Sequence, residues 1–257
     1  RPGDEPAEVS GNAHDARRAA EQAARASYGR LVAFLAARDN DIAAAEDALS
    51  EALVTALSRW PGDGIPQNPE GWLMTVARNR RLNHYRAQKL RREAEPELTL
   101  LHEGGEEAEP AEFPDRRLQL MFACCHPAID AAARAPLILQ VVLGIDAATI
   151  ARSFLVDAKA MSQRLVRAKS RVRDAGIGFS LPSLADMPER LADVLDAIYA
   201  AFGQDWDAVG SAPAAESLTA EAIWLARLLV QLLPEEPEAK GLLALMLYCE
   251  ARRRARR

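Results

Sequence analysis

The sequence is poor in aromatic residues, cysteines and long apolar runs, and each shortage excludes a class of protein. Aromatic residues make up 5% of the 257 positions, whereas Ala, Leu and Arg, which favour helices, are abundant. Three cysteines, Cys124, Cys125 and Cys249, fit no disulfide framework and indicate a reducing compartment. We find no run of membrane-spanning length and no signal peptide. We therefore expect an all-α protein in the cytoplasm, with no membrane contact.

The sequence also lacks the patterns that carry catalysis or metal binding. Its histidines have no carboxylate or serine partners at motif spacing, and there is no Gly-rich phosphate loop. The adjacent Cys124 and Cys125 cannot easily share one tetrahedral metal ion, and no second Cys/His pair stands at a ligand spacing. A packed core is the better interpretation of these cysteines. We expect no enzyme, no metal and no cofactor.

Changes in composition divide the chain into five segments. Residues 93–115 contain nine acidic residues, several Pro and Gly, and no Lys or Arg, so they predict a flexible acidic linker. Before it, residues 1–14 predict a disordered lead-in and residues 15–92 a helical domain. After it, residues 116–176 predict a second helical domain and residues 177–257 a further helical segment.

One predicted helix carries cations of a single sign in a chain whose net charge is −5. Between Asp157 and Asp174 there are six Lys or Arg residues and no carboxylate. A solvated helix usually mixes its signs, so an external anion is expected to supply the missing support. A short helix, a turn at Leu155 and Val156, and Asp157 as N-cap match a helix-turn-helix, whose second helix enters the major groove of DNA.

This helix is predicted to bind duplex DNA. Lys159, Ser162 and Gln163 are expected to reach base edges, and the remaining cations to contact phosphates. The predicted phosphate contacts are Arg164, Arg167, Lys169 and Arg171. The alternative is a solvated amphipathic helix in an Arg-rich chain.

A second basic helix, from Trp72 to about Arg92, also has no acid along its length and adds aromatic and amide side chains. This chemistry suits single-stranded DNA, and the preceding Pro- and Gly-rich loop, residues 61–71, is expected to shape a pocket for an extruded base. The predicted contacts are Asn68, Trp72, Arg78, Asn79, Arg80, Asn83 and Arg86. The alternative is that Trp72 is a core residue.

Three stretches, residues 45–60, 68–86 and 150–172, resemble in order and spacing the extracytoplasmic-function sigma factors of the bacterial sigma-70 family. "PDRRLQLMFACCHPAI" at 114–129 is similar to the subgroup with a C-terminal tetratricopeptide-like helical extension. The resemblance implies a sigma-2 domain at 15–92 and a sigma-4 domain at 116–176. It also implies an extension at 177–257 that is truncated.

The resemblance further implies the partners. A sigma factor binds core RNA polymerase, here through the β′ clamp and the β flap, and directs it to promoter DNA. The helix at 45–60 falls where the family docks on the polymerase. The implied polymerase contacts are Glu46, Asp47, Leu49, Glu51 and Trp60. The helix from Trp72 falls where the −10 element is captured as a single strand, and the helix from Asp157 where the −35 element is read as duplex.

Several alternatives stay open at this point. A stand-alone helix-turn-helix regulator would bind duplex operator DNA without polymerase, and a helical interaction module would show no preference between DNA sequences. The C-terminal helices are expected either to bind a regulatory partner or to pack on the DNA-binding half.

Overall fold

A computed structural model describes residues 5–92, 115–183, 185–204 and 218–255. All regular structure in these ranges is helical, which confirms the all-α prediction there. The helices are α1 (Glu5–Ala36), α2 (Ile42–Asp63), α3 (Pro69–Arg92), α4 (Arg117–Cys124), α5 (Ala131–Leu143), α6 (Ala147–Ser153), α7 (Ala158–Asp174), α8 (Met187–Gln204), α9 (Leu218–Leu232) and α10 (Pro237–Ala255). They form two compact units, α1–α3 and α4–α10. The predicted acidic linker lies outside the described residues, except for Asp115.

The first unit packs three helices around one apolar core. Each helix contributes side chains spaced three or four residues apart, which places them on one face. Fully buried members include Leu31 of α1, Ile42 and Leu49 of α2, and Leu73 and Met74 of α3. Sequestering these side chains from water is what holds the three helices together.

The prediction of a disordered lead-in is wrong from residue 5 onward, because α1 begins at Glu5. The first residues of α1 show no apolar stripe, so periodicity gave no helical signal there. Extending an existing helix needs no such stripe, since each added residue gains a backbone hydrogen bond without a new nucleus. Pro6 lies in the first turn, where its missing N–H is tolerated.

The connection between α2 and α3 is shorter than the predicted loop 61–71. The α2 helix continues through Pro61 to Asp63, and the N–H of Gly64 donates to the carbonyl of Trp60 at 3.1 Å. The α3 helix then begins at Pro69, a residue suited to the first helical position.

Asn68 is the N-cap of α3. Its Oδ1 accepts a hydrogen bond from the N–H of Gly71 at 2.9 Å. A Cβ on Gly71 would lie 2.5 Å from Nδ2 of Asn68, so only glycine leaves room for this cap. Asn68, which was predicted to contact single-stranded DNA, therefore also has a structural role, because its side chain caps the start of α3.

Gly71→Ala tests this cap, with Gly62→Ala as the matched control. A Cβ on Gly62 in α2 meets no atom within 4 Å. Both changes gain helix propensity, but only Gly71→Ala displaces the Asn68 side chain. We expect Gly71→Ala to be less stable than Gly62→Ala by about 1 kcal/mol, a typical value for an N-cap. Urea denaturation measures the difference, and equal stabilities would contradict the assignment.

The second unit is built on α4 and α5. Phe122 of α4, Leu137 and Leu139 of α5 and Ile150 of α6 are fully buried at its centre. The α8 helix packs against α5 and α4, and α9 packs against α8 and α4. The α10 helix covers α9 and part of α8. The helices that follow residue 177 are therefore part of this unit.

Local chemistry defines the helix ends around α7. Gly144 ends α5 in the left-handed conformation, with φ of 66°, and Asp146 caps α6. Thr149 donates to the carboxylate of Asp146 and holds the pKa of that group below its ordinary value. Asp157 caps α7 by accepting from the N–H of Ala160 at 3.0 Å. The predicted stop at Gly144 and the predicted cap at Asp157 are both confirmed.

Candidate nucleic-acid interface

The α7 helix separates an apolar stripe from a polar, basic face. Met161, Leu165, Ala168 and Val172 are buried, as the sequence predicts. The opposite face, named here the α7 face, is exposed and consists of Lys159, Ser162, Gln163, Val166 and Arg167. The predicted base-contacting residues therefore lie together on one accessible surface. Val166, which is 57% exposed, adds an apolar position that the sequence interpretation did not assign to DNA.

Two of the predicted phosphate contacts are braced against the protein. Nη1 of Arg164 donates to the carbonyl of Ala132 at 3.3 Å. Nε of Arg171 donates to the carbonyl of Ala128 at 3.2 Å. A guanidinium has several N–H donors, so one bond to a carbonyl fixes the group without exhausting its donors. Lys169 is half-buried, in contrast to the exposed Arg167.

The turn before α7 contains an unusual backbone conformation. Residues 154–157 connect α6 to α7, and Leu155 adopts a φ of 54° with 93% of its surface exposed. A branched apolar residue rarely adopts the left-handed region. The predicted turn at Leu155 and Val156 is thus present, and its sharpness depends on this strained residue.

A face of α3 gathers most of the residues predicted to bind a single strand. Trp72, Asn79, Asn83 and Arg86 fall within about 60° of the helix circumference. Asn83 and Arg86 are exposed, and Trp72 and Asn79 are half-buried. Arg78 and Arg80 are exposed on the two flanks of this face.

Trp72 is held by a second tryptophan. Its ring lies 5.4 Å from that of Trp60 in an edge-to-face arrangement, at an interplanar angle of 68°. Trp60 is 3% exposed, and its Nε1 has no hydrogen-bond partner within the described part of the chain. A supported and half-exposed indole is suited to stacking on an unpaired base.

Two of the residues predicted to contact polymerase are buried, so the prediction of a direct contact is wrong for them. Leu49 is 1% exposed and Trp60 is 3% exposed, so neither presents a side chain to a partner. Helical periodicity places Leu49 on the core side of α2, and the contact with Trp72 accounts for Trp60. Both residues support the surface from beneath.

Glu46 is also engaged inside the first unit. Its Oε1 accepts a hydrogen bond from the hydroxyl of Tyr28 at 2.9 Å. Burial and the Glu46 carboxylate raise the pKa of Tyr28 above its ordinary value, so the hydroxyl stays a donor. Glu46 therefore ties α2 to α1 as well as lying near the predicted docking surface.

The exposed surface of α2 differs from the prediction in its apolar part. Asp47 and Glu51 are exposed as expected, with Val54 66% exposed and Leu57 46% exposed beside them. These four residues are named here the α2 face. Leu57 is offset from the buried Ala45–Leu49–Ala52–Ala56 stripe, which accounts for its exposure. Glu51 also lies 3.8 Å from Nε of Arg80 on α3.

The described ranges contain neither a candidate metal site nor a candidate membrane-spanning helix. No group of three or more His, Cys, Asp or Glu residues there could hold a metal ion. None of the helices described is both long enough and apolar enough to cross a membrane. Cys124 and Cys125 are buried, and burial raises the pKa of the Cys125 thiol, which agrees with the predicted core role.

The first unit has a recognisable counterpart among known families. Residues 24–91 match Sigma-70 region 2. This match covers the end of α1, all of α2 and nearly all of α3. Residues 190–257 match a family of unknown function, DUF6596.

One curated relative covers most of the chain. A protein of Rhizobium meliloti (strain 1021), described as uncharacterized, is 41% identical over 219 residues. The alignment covers 82% of this chain and 52% of the relative, so the chain spans about half the length of that protein. No solved structure matches the chain significantly.

Proposed function

We propose that this protein is a sigma factor of the extracytoplasmic-function group. In this role it binds core RNA polymerase in the cytoplasm, recognises −35 and −10 promoter elements and initiates transcription without being an enzyme itself. One observation carries the proposal. The Sigma-70 region 2 match at 24–91 coincides with the helix on which Trp72, Asn79, Asn83 and Arg86 share a face.

The face of α3 has the chemistry that single-stranded DNA requires. Trp72 offers a ring on which a base can stack, and Asn79 and Asn83 offer amides that can pair with base edges. Arg86 and the flanking Arg78 and Arg80 supply charge for the phosphates. The −10 element, once melted, is the proposed ligand of this face.

The α7 face has the chemistry that duplex DNA requires. Lys159, Ser162 and Gln163 stand near the helix start, which is the part that meets base edges in a helix-turn-helix. Arg167 stands one turn further, at the distance where a major-groove helix passes the backbone. The −35 element is the proposed ligand, and Arg164 and Arg171 contribute phosphate contacts from their braced positions.

The α2 face is the proposed docking surface for core polymerase. It combines exposed apolar side chains, Val54 and Leu57, with the carboxylates of Asp47 and Glu51. Protein interfaces commonly place such apolar side chains at their centre and polar groups at the rim.

A stand-alone regulator is the alternative, and the exposed α7 face favours it as much as it favours a sigma factor. The two roles differ in the need for polymerase. A regulator binds its operator tightly alone, and it has no use for the α2 face or for an aromatic, basic face on α3.

Polymerase binding tests the proposed function through Asp47→Ala and Val54→Ala. We expect each change to weaken the affinity for core polymerase by about tenfold, as for a residue central to an interface. Both side chains are exposed, so folding should be unaffected. Asp15→Ala, at an exposed position of α1 outside the region 2 match, is the control and should bind normally. A wild-type chain without affinity for core polymerase would contradict the proposal.

Duplex binding tests the α7 face through Arg167→Ala. Removing one phosphate contact should weaken binding and reduce the steepness of log affinity against log salt by about one unit. Arg227→Ala removes the same charge from an exposed position of α9 and should keep the wild-type slope. Fluorescence anisotropy over a salt series measures both, and identical slopes would remove Arg167 from the interface.

A further inference from the structure

Three arginines converge on one short stretch of backbone. The stretch runs from residue 126 to residue 132, connects α4 to α5 and includes the first turn of α5; it is named here the 126–132 segment. Its carbonyls at Ala128, Ile129 and Ala132 accept hydrogen bonds at 3.2, 3.1 and 3.3 Å. The donors, in the same order, are Arg171, Arg134 and Arg164. Two of these donors belong to α7 and carry the proposed phosphate contacts.

The third donor reaches further, into α8. Nη1 of Arg134 lies 2.9 Å from Oδ2 of Asp193, while its Nε bonds to the 126–132 segment. The side chains of Arg134 and Asp193 are 12% and 21% exposed. A pair so shielded from water is coupled far more strongly than a surface pair, because loss of one partner leaves the other charge poorly solvated.

The start of the segment is fixed as well. Nδ1 of His126 accepts a hydrogen bond from the N–H of Ala128 at 3.1 Å. Burial and the nearby Arg190 and Arg134 lower the pKa of His126, so the ring stays a neutral acceptor at this nitrogen, against the opposing effect of Asp186. Arg190 and Asp193 both lie in the first two turns of α8. This helix therefore places a cation near His126 and a carboxylate against Arg134.

A second tie joins the C-terminal helices to the same unit. Arg117 of α4 pairs with Asp115 at 2.8 Å and with Glu221 of α9, and its guanidinium lies 3.9 Å from the ring centre of Trp224. The α8 and α9 helices are thus anchored to α5 and α4 by separate charged contacts. Because α8 also packs against α9, α8 cannot move away from Arg134 without breaking the contacts between α8 and α9.

We propose that α8 sets the position of the duplex-binding arginines, with Asp193 and Arg134 as positioning residues that act through the 126–132 segment. The contacts run without a gap from Asp193 to Arg134, to the carbonyls of the segment, and to Arg164 and Arg171 on α7. This inference rests on the proposed function of α7. Asp193 lies within residues 190–257, the part of the chain that matches a family of unknown function. The proposal therefore gives this part of the chain a role.

Asp193→Asn and Asp196→Asn form a matched pair that tests the proposal in the full chain. Both remove one negative charge from α8, but Asp196 is exposed whereas Asp193 holds Arg134. Loss of a negative charge alone should leave DNA affinity equal or slightly higher. We expect Asp193→Asn to lower duplex affinity by about three- to tenfold, the scale of coupling through a contact network.

Arg134→Lys separates positioning from stability. A lysine keeps the charge opposite Asp193, but it cannot also donate to the carbonyl of Ile129 as the guanidinium does. We expect a chain that unfolds near the wild-type temperature and binds duplex DNA as weakly as Asp193→Asn. Hydrogen exchange should be faster at residues 126–132 in both variants and unchanged in Asp196→Asn.

The outcomes distinguish this inference from the function on which it rests. A wild-type chain that binds no duplex DNA overturns both. A wild-type chain that binds, with equal affinities for Asp193→Asn, Arg134→Lys and Asp196→Asn, overturns the positioning role alone. Weaker binding by the first two variants, together with faster exchange confined to the 126–132 segment and α7, supports it.

Discussion

The second unit is organised by two arginines that are almost removed from water. A shielded guanidinium must find its counter-charge inside the protein, because solvent no longer stabilises it. Arg117 is 9% exposed and meets Asp115 and Glu221, and the side chain of Arg134 is 12% exposed and meets Asp193. These requirements determine which helices can be neighbours. They tie α4 to α9 and α5 to α8, and so give α7 a fixed base.

Two cations of the α7 face are in the opposite situation. Lys159 and Arg167 are exposed, and no carboxylate of α7 stands between Ala158 and Arg173. The chain as a whole is acidic, with a net charge of −5, which limits indiscriminate attraction to DNA. Cations are thus paired where they hold the fold and left accessible where an anionic partner is proposed. The face of α3 follows the same division, with Trp72 braced by Trp60 and Arg86 exposed.

Features that depend on local chemistry could be predicted from the sequence. The buried stripe of α7 follows from spacing, the cap at Asp157 from its short carboxylate, and the end of α5 from Gly144. The Arg134–Asp193 and Arg117–Glu221 pairs could not, since their members are separated by 59 and 104 positions. No local pattern distinguishes Arg134 from Arg167, although the fold buries one and exposes the other.

At the candidate site, too, local patterns could be predicted from the sequence but tertiary contacts could not. The sequence located both basic helices and most of their exposed residues, because charge without a compensating acid is visible in one dimension. It misjudged Leu49 and Trp60, since exposure on α2 depends on how α1 and α3 cover this helix. It gave no sign that Arg164 and Arg171 are braced on the 126–132 segment, which requires knowledge of the tertiary contact.

Transcription with purified core polymerase tests the central claim most directly. The polymerase is incubated with and without the full chain on a library of promoter fragments, and RNA start sites are mapped. We predict new start sites that appear only with the chain and share sequence elements at −35 and −10. The absence of any chain-dependent start site, together with sequence-selective duplex binding by the chain alone, would contradict the account and identify a stand-alone regulator instead.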